Sequence, residues 1–409
     1  MRGLPVVLAF LCCVLSNCSS SAAPEEGCSR VRLSAEGDWL AYLWETRRVV
    51  RRGSETVAIQ QAVSLCWAST AAPEKINRVS MAEWGRDKRG YSLLDQTHFA
   101  FAPKGTRLAV LCPEGLKVVH LATGQAQAHD LKRAEVVTSL SWLDEETVAY
   151  TSFGGSAAQP PGKTERTFWR QRMDRPMAER AVIHRDSDVR GALPVLLYEA
   201  DGWPQEFWSP DGQYVLFRGP TEEESPRLMN AATGQVRALG SAGAFRFAAW
   251  SRDSARALYV TYAPASSSYH AYLLDAAQTH TLDLSQELRK VFGTFTPNLE
   301  PLWTSDDRFV VGSNLKLGGY LIQPEPWVVQ LVGRQHQAPG ESVPPHVRGQ
   351  AVPSVLILSR GAREAAVDYE GKVLKQLGPG GLSGWTILPG GKAAVSVQPG
   401  NKIAVAPMQ

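Results

Sequence analysis

The stretch that decides the fold of this chain reads FWSPDGQYVLF and runs from Phe207 to Phe217. An aromatic pair is followed by a Ser-Pro-Asp-Gly turn and then by a run of mainly apolar residues. Proline presets the backbone angle at the second position of a type I turn, and glycine adopts the left-handed conformation that closes a hairpin. Period-two apolar alternation after the turn is typical of a strand with one buried face. The stretch therefore predicts the end of one strand, a tight turn and the start of the next strand.

Degenerate copies of this pattern recur along the chain. The copies occupy residues 33–42, 99–110, 142–150, 249–254, 302–311 and 385–395. A second hairpin follows most of them, as in residues 118–125 and 228–236, so that one repeat contributes four strands. Radial repetition of four-stranded sheets builds a β-propeller. We therefore predict an all-β propeller of four-stranded blades; its seven copies favour seven blades, with six or eight as the alternatives.

The segment from Trp208 to Phe217 resembles the repeat of the propeller domain in TolB-like proteins, which are bacterial and exported and are similar to WD-repeat proteins. The resemblance covers most of the chain but has one strong copy, and the Gly-His and Trp-Asp dipeptides of true WD repeats are missing. It implies a propeller fold. Because one fold hosts many functions, it does not imply an activity.

Two loop insertions are expected, near residues 153–165 and 335–353, since both segments are polar and contain proline or paired glycines. Residues 355–377 have strand character without the turn, and we interpret them as a blade whose motif has decayed. An open ring would leave strand edges exposed. Ring closure should therefore pair strands near residues 29–45 with strands at residues 385–406.

The first residues carry the pattern of a signal peptide. An arginine precedes residues 4–15, an apolar stretch too short to cross a bilayer as a helix. Cleavage after Ala22 would release a soluble protein. The sequence LSNC, which ends at Cys18, resembles the bacterial lipobox, although asparagine departs from the small residue usual before the cysteine. We predict a signal peptide at residues 1–22, with Cys18 as the alternative lipid attachment site, and a single propeller domain at residues 23–409.

This leader predicts export to the periplasm, the cell envelope or the extracellular space, with a lipid anchor if Cys18 is acylated. Cys28, Cys66 and Cys112 remain by either route, so at most one disulfide forms among them. Their spacings match no zinc pattern.

The charge balance argues against a nucleic-acid partner. The formal net charge is only +3, and the one dense basic run, Arg47 to Arg52, would place two arginines on each face of a strand. An edge or solvated strand guarded by arginine explains that run.

No sequence motif assigns a catalytic, cofactor-binding or metal-binding residue. A nucleophile elbow, a zinc-protease motif and a phosphate-binding loop are all missing. The histidines at His129-Asp130 and in residues 184–186 (His-Arg-Asp) would provide an acid–base pair or metal ligands only if the fold gathered them, and surface or loop positions are the favoured alternative. The carboxylates of Asp253, Asp306 and Asp307 are interpreted as turn residues of the repeat.

These observations favour a non-enzymatic binding or scaffold protein at the cell envelope, monomeric and without a cofactor. Its partner would be a protein or a glycan. The alternative is an enzyme that acts on polysaccharide, a lyase or hydrolase with residues in the central channel, and a ligand-sensing propeller lies between the two. A cluster of histidines and carboxylates with perturbed pKa values would favour the enzyme.

Overall fold

A computed structural model defines the architecture of the chain. It describes residues 24–408 except 35, 53–54, 86–96, 113–114, 131–135, 155–163, 177–178, 190–205, 220–224, 242, 279, 298–301, 304–307, 314–315, 324–327, 333–345, 353–354, 361–362 and 389–390. Cys18, Asp306, Asp307 and most of both predicted insertions lie outside the described residues.

The described residues form thirty-one strands in eight antiparallel sheets, each a meander in which consecutive strands pair. The first four sheets contain β1 (Glu25–Leu33), β2 (Trp39–Arg52), β3 (Glu55–Ser69) and β4 (Asn77–Gly85); β5 (His98–Phe101), β6 (Arg107–Cys112), β7 (Gly115–His120) and β8 (Ala126–Asp130); β9 (Val136–Trp142), β10 (Thr147–Gly154), β11 (Thr164–Arg172) and β12 (Ala181–Val189); and β13 (Glu206–Trp208), β14 (Tyr214–Phe217), β15 (Arg227–Asn230) and β16 (Val236–Ala238).

The last four sheets contain β17 (Ala244–Trp250), β18 (Arg256–Ala263), β19 (Ser268–Asp275) and β20 (His280–Asp283); β21 (Leu302–Trp303), β22 (Phe309–Ser313), β23 (Lys316–Gln323) and β24 (Val328–Val332); β25 (His346–Val352), β26 (Val355–Arg360), β27 (Arg363–Val367) and β28 (Val373–Gly378); and β29 (Thr386–Ile387), β30 (Ala393–Gln398) and β31 (Lys402–Pro407). Seven of these sheets have four strands and the last has three. Residues 355–377 do form strands of a sheet of their own.

The sheets radiate from a ring of first strands. The first strands β5, β9, β13, β17 and β21 contact one another in that order, and β25 contacts β29. Radiating sheets converge only at their inner strands, so the first strand of each sheet lines the inside of the ring. The chain is an all-β propeller, as the repeat predicts.

The meander fixes which loops share a rim. First and third strands of every sheet begin at one rim, which we call the upper rim, and second and fourth strands end there. The predicted insertions follow β10 and β24, the second and fourth strands of their sheets, so the strand ends that flank them lie on the same upper rim. The predicted bounds of the second insertion were wrong, because residues 346–352 form the inner strand β25.

Tryptophans connect neighbouring sheets, as the broad ring at the strand end predicts. Each indole N–H donates to the first strand of the preceding sheet: Trp142 to Ala100 O (2.9 Å), Trp208 to Ser139 Oγ (3.0 Å), Trp250 to Phe207 O (2.8 Å) and Trp303 to Ala249 O (2.7 Å). The repeated aromatic residue therefore joins the blades by packing and by a directional hydrogen bond.

The strongest turn copy forms the hydrogen bonds expected of it. Ser209 Oγ donates to Asp211 Oδ1 (2.6 Å) and accepts from the backbone N–H of Tyr214 (2.9 Å). Gly212 has φ 70°, and a Cβ there would lie 2.1 Å from the carbonyl oxygen of Trp142. Glycine is thus required twice, by its backbone angle and by the close approach of the preceding sheet.

The ring closes by side-chain packing, and the predicted strand pairing was wrong. Within the described residues, β1 pairs with β2 and β31 with β30. The first and last sheets instead share an apolar cluster that includes Tyr42, Trp44 and Val395. Tyr42 Oη also donates to Asn401 Oδ1 (2.7 Å). Because β1 and β2 are joined by a tight turn, β1 finds its hydrogen-bond partners inside its own sheet.

Among the described residues, one α-helix interrupts the strands: α1, Ser285–Phe292, which the repeat pattern did not indicate. Its Leu288 and Phe292 pack into the core beside Trp303, so it fills the space between the fifth and sixth sheets. A 3₁₀ turn covers Pro264–Ser266. Among the described residues, no helix is long and apolar enough to span a bilayer.

All three cysteines of the described chain are free thiols. Burial raises the pKa of Cys28 to about 12 and that of Cys66 to about 11. Both thiols therefore stay protonated at neutral pH and are unreactive.

Candidate functional site

A cluster of charged and polar side chains lies between the third sheet (β9–β12) and the fourth (β13–β16), near the upper rim. Strand register brings its members together: Arg166 pairs directly with Asp186 across β11 and β12, and Phe168 pairs with His184. Opposite residues in an antiparallel pair share a face. The face toward the fourth sheet therefore carries an arginine, an aspartate and a histidine. We call Arg166, Asp186, His184, Arg227, Glu206 and Thr138 the polar cluster.

Arg166 is the centre of the polar cluster and is 0% exposed. Its Nε and Nη2 donate to Asp186 Oδ2 (3.1 and 2.6 Å), and Nη2 also donates to Arg218 O (2.7 Å). The guanidinium carbon lies 4.7 Å from the ring centre of Phe217, a favourable cation–π distance. Nη1 has no hydrogen-bond partner in the described part of the chain.

Asp186 accepts hydrogen bonds from three side chains. Beside Arg166, it accepts from His184 Nε2 (3.0 Å) and from Arg227 Nη1 (3.3 Å). Burial would raise the pKa of this carboxyl, but the His184 hydrogen bond and the charge of Arg166 outweigh burial and lower the pKa to about 2. Asp186 is therefore ionised throughout the physiological range, and it fixes the imidazole of His184.

Glu206 occupies the first position of the inner strand β13 and is 4% exposed. Neither carboxylate oxygen has a hydrogen-bond partner among the residues described. Burial raises the pKa of this carboxyl, and the charge of Arg166 and the nearby Thr138 hydroxyl only partly oppose that rise. Thr138 Oγ1 lies outside hydrogen-bond geometry and has no partner within the described chain either. Arg166 is therefore close enough to Glu206 for the two charges to interact, but no hydrogen bond joins the two side chains.

A β-bulge places the side chain of Thr138 beside Glu206. Ser139 pairs with Thr151 and Val137 with Ser152, which leaves Thr138 as the extra residue of β9. A bulge re-aims the side chain at its position. The inner strand therefore presents Thr138 next to Glu206.

A histidine at the upper end of another inner strand continues this polar region. Arg30, at a bulge of β1 with φ 54°, contacts His98 Nδ1 at 2.9 Å. An arginine can only donate, so Nδ1 accepts. Burial, together with the charges of Arg30 and Arg32, holds the pKa of His98 well below its ordinary value. His98 is therefore neutral at physiological pH.

The structure brings some of the residues proposed from the sequence together and places others apart. His184 and Asp186 do form a hydrogen-bonded pair, while Arg185 between them forms an ion pair with Glu165 (3.2 Å). His129 lies in β8, the outer strand of the second sheet, away from the polar cluster. Among the residues that the structure describes, no group of three or more side chains could hold a metal ion.

The turn interpretation of Asp253 agrees with its contacts. Its Oδ1 accepts from Ser251 Oγ (2.7 Å) and from the N–H of Ala255 (3.0 Å), and these bonds lower its pKa.

Sequence reasoning missed Arg166, Thr138 and Glu206. One signal was available for Glu206: it stands two residues before Trp208, so alternation places both on the inward face. A charged residue at an inward position is costly to bury, and it therefore marks a candidate site. No comparable signal exists for Arg166, whose burial depends on the approach of the fourth sheet.

The lower rim between the same two sheets holds an open cavity of about 520 Å³. Its wall includes Arg172 and Arg175, which form exposed ion pairs with Asp174 and Glu179. Exposed pairs are weak and screened by solvent. This cavity therefore contrasts with the polar cluster, where the charges are buried.

Comparison with known proteins supports the fold and leaves the site unassigned. No family model matches the chain, and no curated protein matches it. The propeller of Dos1 superposes with a TM-score of 0.52 at 9% identity, covering 93% of each chain. The uncomplexed acylaminoacyl peptidase of Pyrococcus horikoshii gives a TM-score of 0.50 at 14% identity, covering 86% of this chain and 52% of that one. An oligogalacturonate lyase of Vibrio parahaemolyticus gives 0.48 at 10% identity, covering 95% and 98%.

The class that the fold defines is the β-propeller, and the solved structures similar to this chain include the Dos1 propeller and an acylaminoacyl peptidase. At these identities the similarity establishes architecture alone.

Proposed function

We propose that this chain is an exported β-propeller of the TolB-like kind that acts as a non-enzymatic binding module at the cell envelope. The observation that carries the proposal is Glu206, which is 4% exposed and has no hydrogen-bond partner for either oxygen among the described residues. Such a group costs folding free energy. Sequences keep locally unfavourable groups mainly where they serve function.

Topology supports the upper rim as the recognition surface. The strand ends that flank the two insertions, at residues 154 and 164 and at residues 332 and 346, lie on the same rim as the polar cluster. Loops held by a rigid scaffold commonly carry recognition. A protein or glycan bound there by a monomeric propeller is the partner we propose.

Affinity capture from envelope extracts, read by mass spectrometry, tests the proposal. Alanine blocks across residues 155–163 and across residues 333–345 should reduce capture of the partner. A control variant with alanine at the exposed lower-rim residues Asp174 and Arg175 should leave capture unchanged. Equal capture by all three variants would refute recognition at the upper rim.

The mature N-terminus tests export. Intact mass of the protein from the native host should give either a chain that begins after Ala22 or an acylated chain that begins at Cys18. Retention of Met1 in the mature protein would contradict export.

One observation favours a second candidate, an enzyme acting on polysaccharide. Glu206 and His98 stand at the upper ends of inner strands, with the pKa of Glu206 raised and that of His98 lowered. A carboxyl whose pKa is raised is suited to exchange a proton closer to neutral pH, and a neutral imidazole has a lone pair that can accept one. Release of new reducing or unsaturated ends from a polysaccharide panel, lost in both Glu206→Gln and His98→Gln, would establish the enzyme; no release by the wild type would exclude it.

A further inference from the structure

We propose that the open edge of the last sheet is a docking slot for an extended strand of a partner protein. That sheet contains only β29, β30 and β31, whereas each of the other seven sheets that the structure describes ends in a fourth, outermost strand. Its free edge therefore lies one strand spacing, about 4.8 Å, closer to the ring axis than the edges of its neighbours. We call this recess the slot: it lies along residues 403–407, between β28 of the seventh sheet and β4 of the first. The slot is on the outside of the ring, and the proposal does not depend on recognition at the upper rim.

The edge strand β31 offers backbone groups to the slot. The N–H of Met408 donates to Lys392 O (2.9 Å), so the even-numbered residues of β31 exchange hydrogen bonds with β30. In an antiparallel ladder the residues between such pairs direct their N–H and C=O groups to the opposite side. Ile403 and Val405 therefore each point one donor and one acceptor into the slot, and Pro407 adds an acceptor alone.

The exposure of the side chains shows that the slot is open. Val405 is 46% exposed, and its neighbours in β30, Val395 and Val397, are buried at 2% and 0%. Val405 shares a face of the strand with Ile403, which packs toward the first sheet. An exposed apolar strand edge is a template for pairing with another chain. A docked strand would cover Val405 with the residue opposite it, so apolar side chains suit this face.

The other face of the slot carries positive charge. Ala404 and Ala406 pack toward the seventh sheet, and alternation places the exposed Lys402 on the same side. Lys375 of β28 pairs with Ala366, a member of the same apolar cluster, and therefore faces the slot from the seventh sheet. No carboxylate of the described chain forms an ion pair with either lysine. Acidic side chains on this face of a docked strand would therefore meet two cations without displacing an existing partner.

The recess of the edge favours a single strand over a second copy of the propeller. Edge-to-edge pairing of two propellers requires their β31 strands to approach within about 4.8 Å. Each β31 is set back behind β28 and β4 of its own ring, so those outer strands would collide first. A terminus or an extended loop of a partner enters the slot without this clash and adds its backbone to the sheet. The matching strand alternates apolar and acidic residues.

Fluorescence anisotropy of a labelled peptide, titrated with the full chain, tests the slot. The probe is the amidated heptapeptide SVEVEVS, and its basic counterpart is SVKVKVS. We expect SVEVEVS to bind with a Kd below about 1 mM and SVKVKVS to bind at least about tenfold more weakly. The valine N–H groups of the peptide face β31, so N-methylation of the valines should abolish binding. N-methylation of the glutamates, whose N–H groups point to solvent, is the matched control and should change the Kd by less than about threefold.

Variants connect peptide binding to the two faces of the slot. Val405→Lys places a charge on the apolar face and should weaken SVEVEVS binding at least about tenfold. Val373→Lys is the control: this valine of β28 is 48% exposed but pairs with Val367, which faces the sixth sheet, so binding should stay unchanged. Both variants should melt like the wild type, because both side chains are exposed. The double change Lys375→Glu and Lys402→Glu should reverse the preference in favour of SVKVKVS.

Hydrogen exchange read by mass spectrometry locates the bound peptide. Saturating SVEVEVS should slow amide exchange in the segment that contains Ile403 and Val405, and not in β28. Absence of binding at about 1 mM, or equal binding by the valine-methylated peptide or by Val405→Lys, would overturn the slot, whatever the upper rim captures. A dimer that Val405→Lys dissociates would assign the slot to a second copy instead. Protection of this segment without peptide, in native protein that keeps residues 1–22, would assign the slot to this chain's own leader; either result refutes the proposal.

Discussion

Replacing the buried Asp186 by its neutral isostere tests whether Asp186 and Arg166 form a buried, interdependent ion pair. A pKa lowered from 3.8 to about 2 means that the folded state favours the charged form of Asp186 by about 2 kcal/mol, at 1.36 kcal/mol per unit. Asp186→Asn removes that contribution and also leaves Arg166 without its carboxylate partner. Removal of one partner of a buried pair costs about 3–5 kcal/mol. We therefore expect a loss of about 2–5 kcal/mol at pH 7.

The sign of the pH dependence follows from the same shift. A depressed carboxyl pKa contributes stability above the unfolded value of 3.8, and that stability is lost as the pH falls through about 2. Urea denaturation of Asp186→Asn should therefore converge on the wild type as the pH falls below 4. Tryptophan fluorescence can follow the transition at each pH.

A second aspartate provides the control. Asp174 also has a lowered pKa, from its hydrogen bond and ion pair with Arg172, but that pair is exposed to solvent. Asp174→Asn should change the unfolding midpoint little, because solvent screens exposed pairs. Equal losses in the two variants, or a more stable Asp186→Asn, would refute the claim that Arg166 and Asp186 form a buried, interdependent pair.

Three further changes test the fold and the site. Glu206→Gln should raise the free energy of unfolding at pH 7 by about 1–3 kcal/mol. Because the pKa of Glu206 is raised, the wild type is fully stable below the unfolded pKa and loses stability as the pH rises, whereas the glutamine variant does not. The urea midpoint of the variant should therefore exceed that of the wild type at pH 7, and the difference should shrink toward pH 4. Gly212→Ala should lower the free energy of unfolding, measured by urea denaturation, by about 3 kcal/mol or more, because its Cβ would lie 2.1 Å from Trp142 O. Gly240→Ala is the control: it has the same left-handed strain but nothing within 4 Å of its Cβ, and it should lose only about 1 kcal/mol. Trp250→Phe removes a 2.8 Å hydrogen bond to the preceding sheet and should cost about 1–3 kcal/mol, and an unchanged urea midpoint would contradict that connecting role.

The fold was predictable because its determinants are local in sequence. The Ser-Pro-Asp-Gly turn at residues 209–212 fixes a hairpin through bonds between residues at most five apart, and the strand alternation on either side needs no distant partner. Ring closure was not predictable in the same way. The hydrogen bond between Tyr42 and Asn401 joins residues that are 359 positions apart, and no residue of the repeat motif indicates it.

The candidate site depends on relations that sequence spacing does not contain. His184 and Asp186 could be proposed as a pair because they are neighbours on one face of one strand. Arg166 joins them only through the register of β11 against β12, and a bulge between Thr164 and Arg166 shifts that register. Glu206 meets Arg166 only because the fourth sheet packs on the third. Bulge and packing are tertiary outcomes, so this part of the site requires the structure.

At the polar cluster the connecting tryptophan donates to a different kind of acceptor from those of Trp142, Trp250 and Trp303. At three described interfaces the tryptophan indole donates to a backbone carbonyl, of Ala100, Phe207 or Ala249. At the interface of the third and fourth sheets, Trp208 donates instead to Ser139 Oγ, which in turn donates to Thr151 Oγ1 at 2.8 Å.

A backbone acceptor would be enough to connect the sheets, so structure alone does not require a hydroxyl there. Ser139 follows the bulged Thr138, and Trp208 is two residues beyond Glu206. The side-chain hydrogen bond between Ser139 and Trp208 therefore connects β9 and β13, the strands that carry Thr138 and Glu206. Binding groups act only when supporting contacts hold them in place. The bond between Ser139 and Trp208 therefore holds Thr138 and Glu206 in place at the interface of the third and fourth sheets.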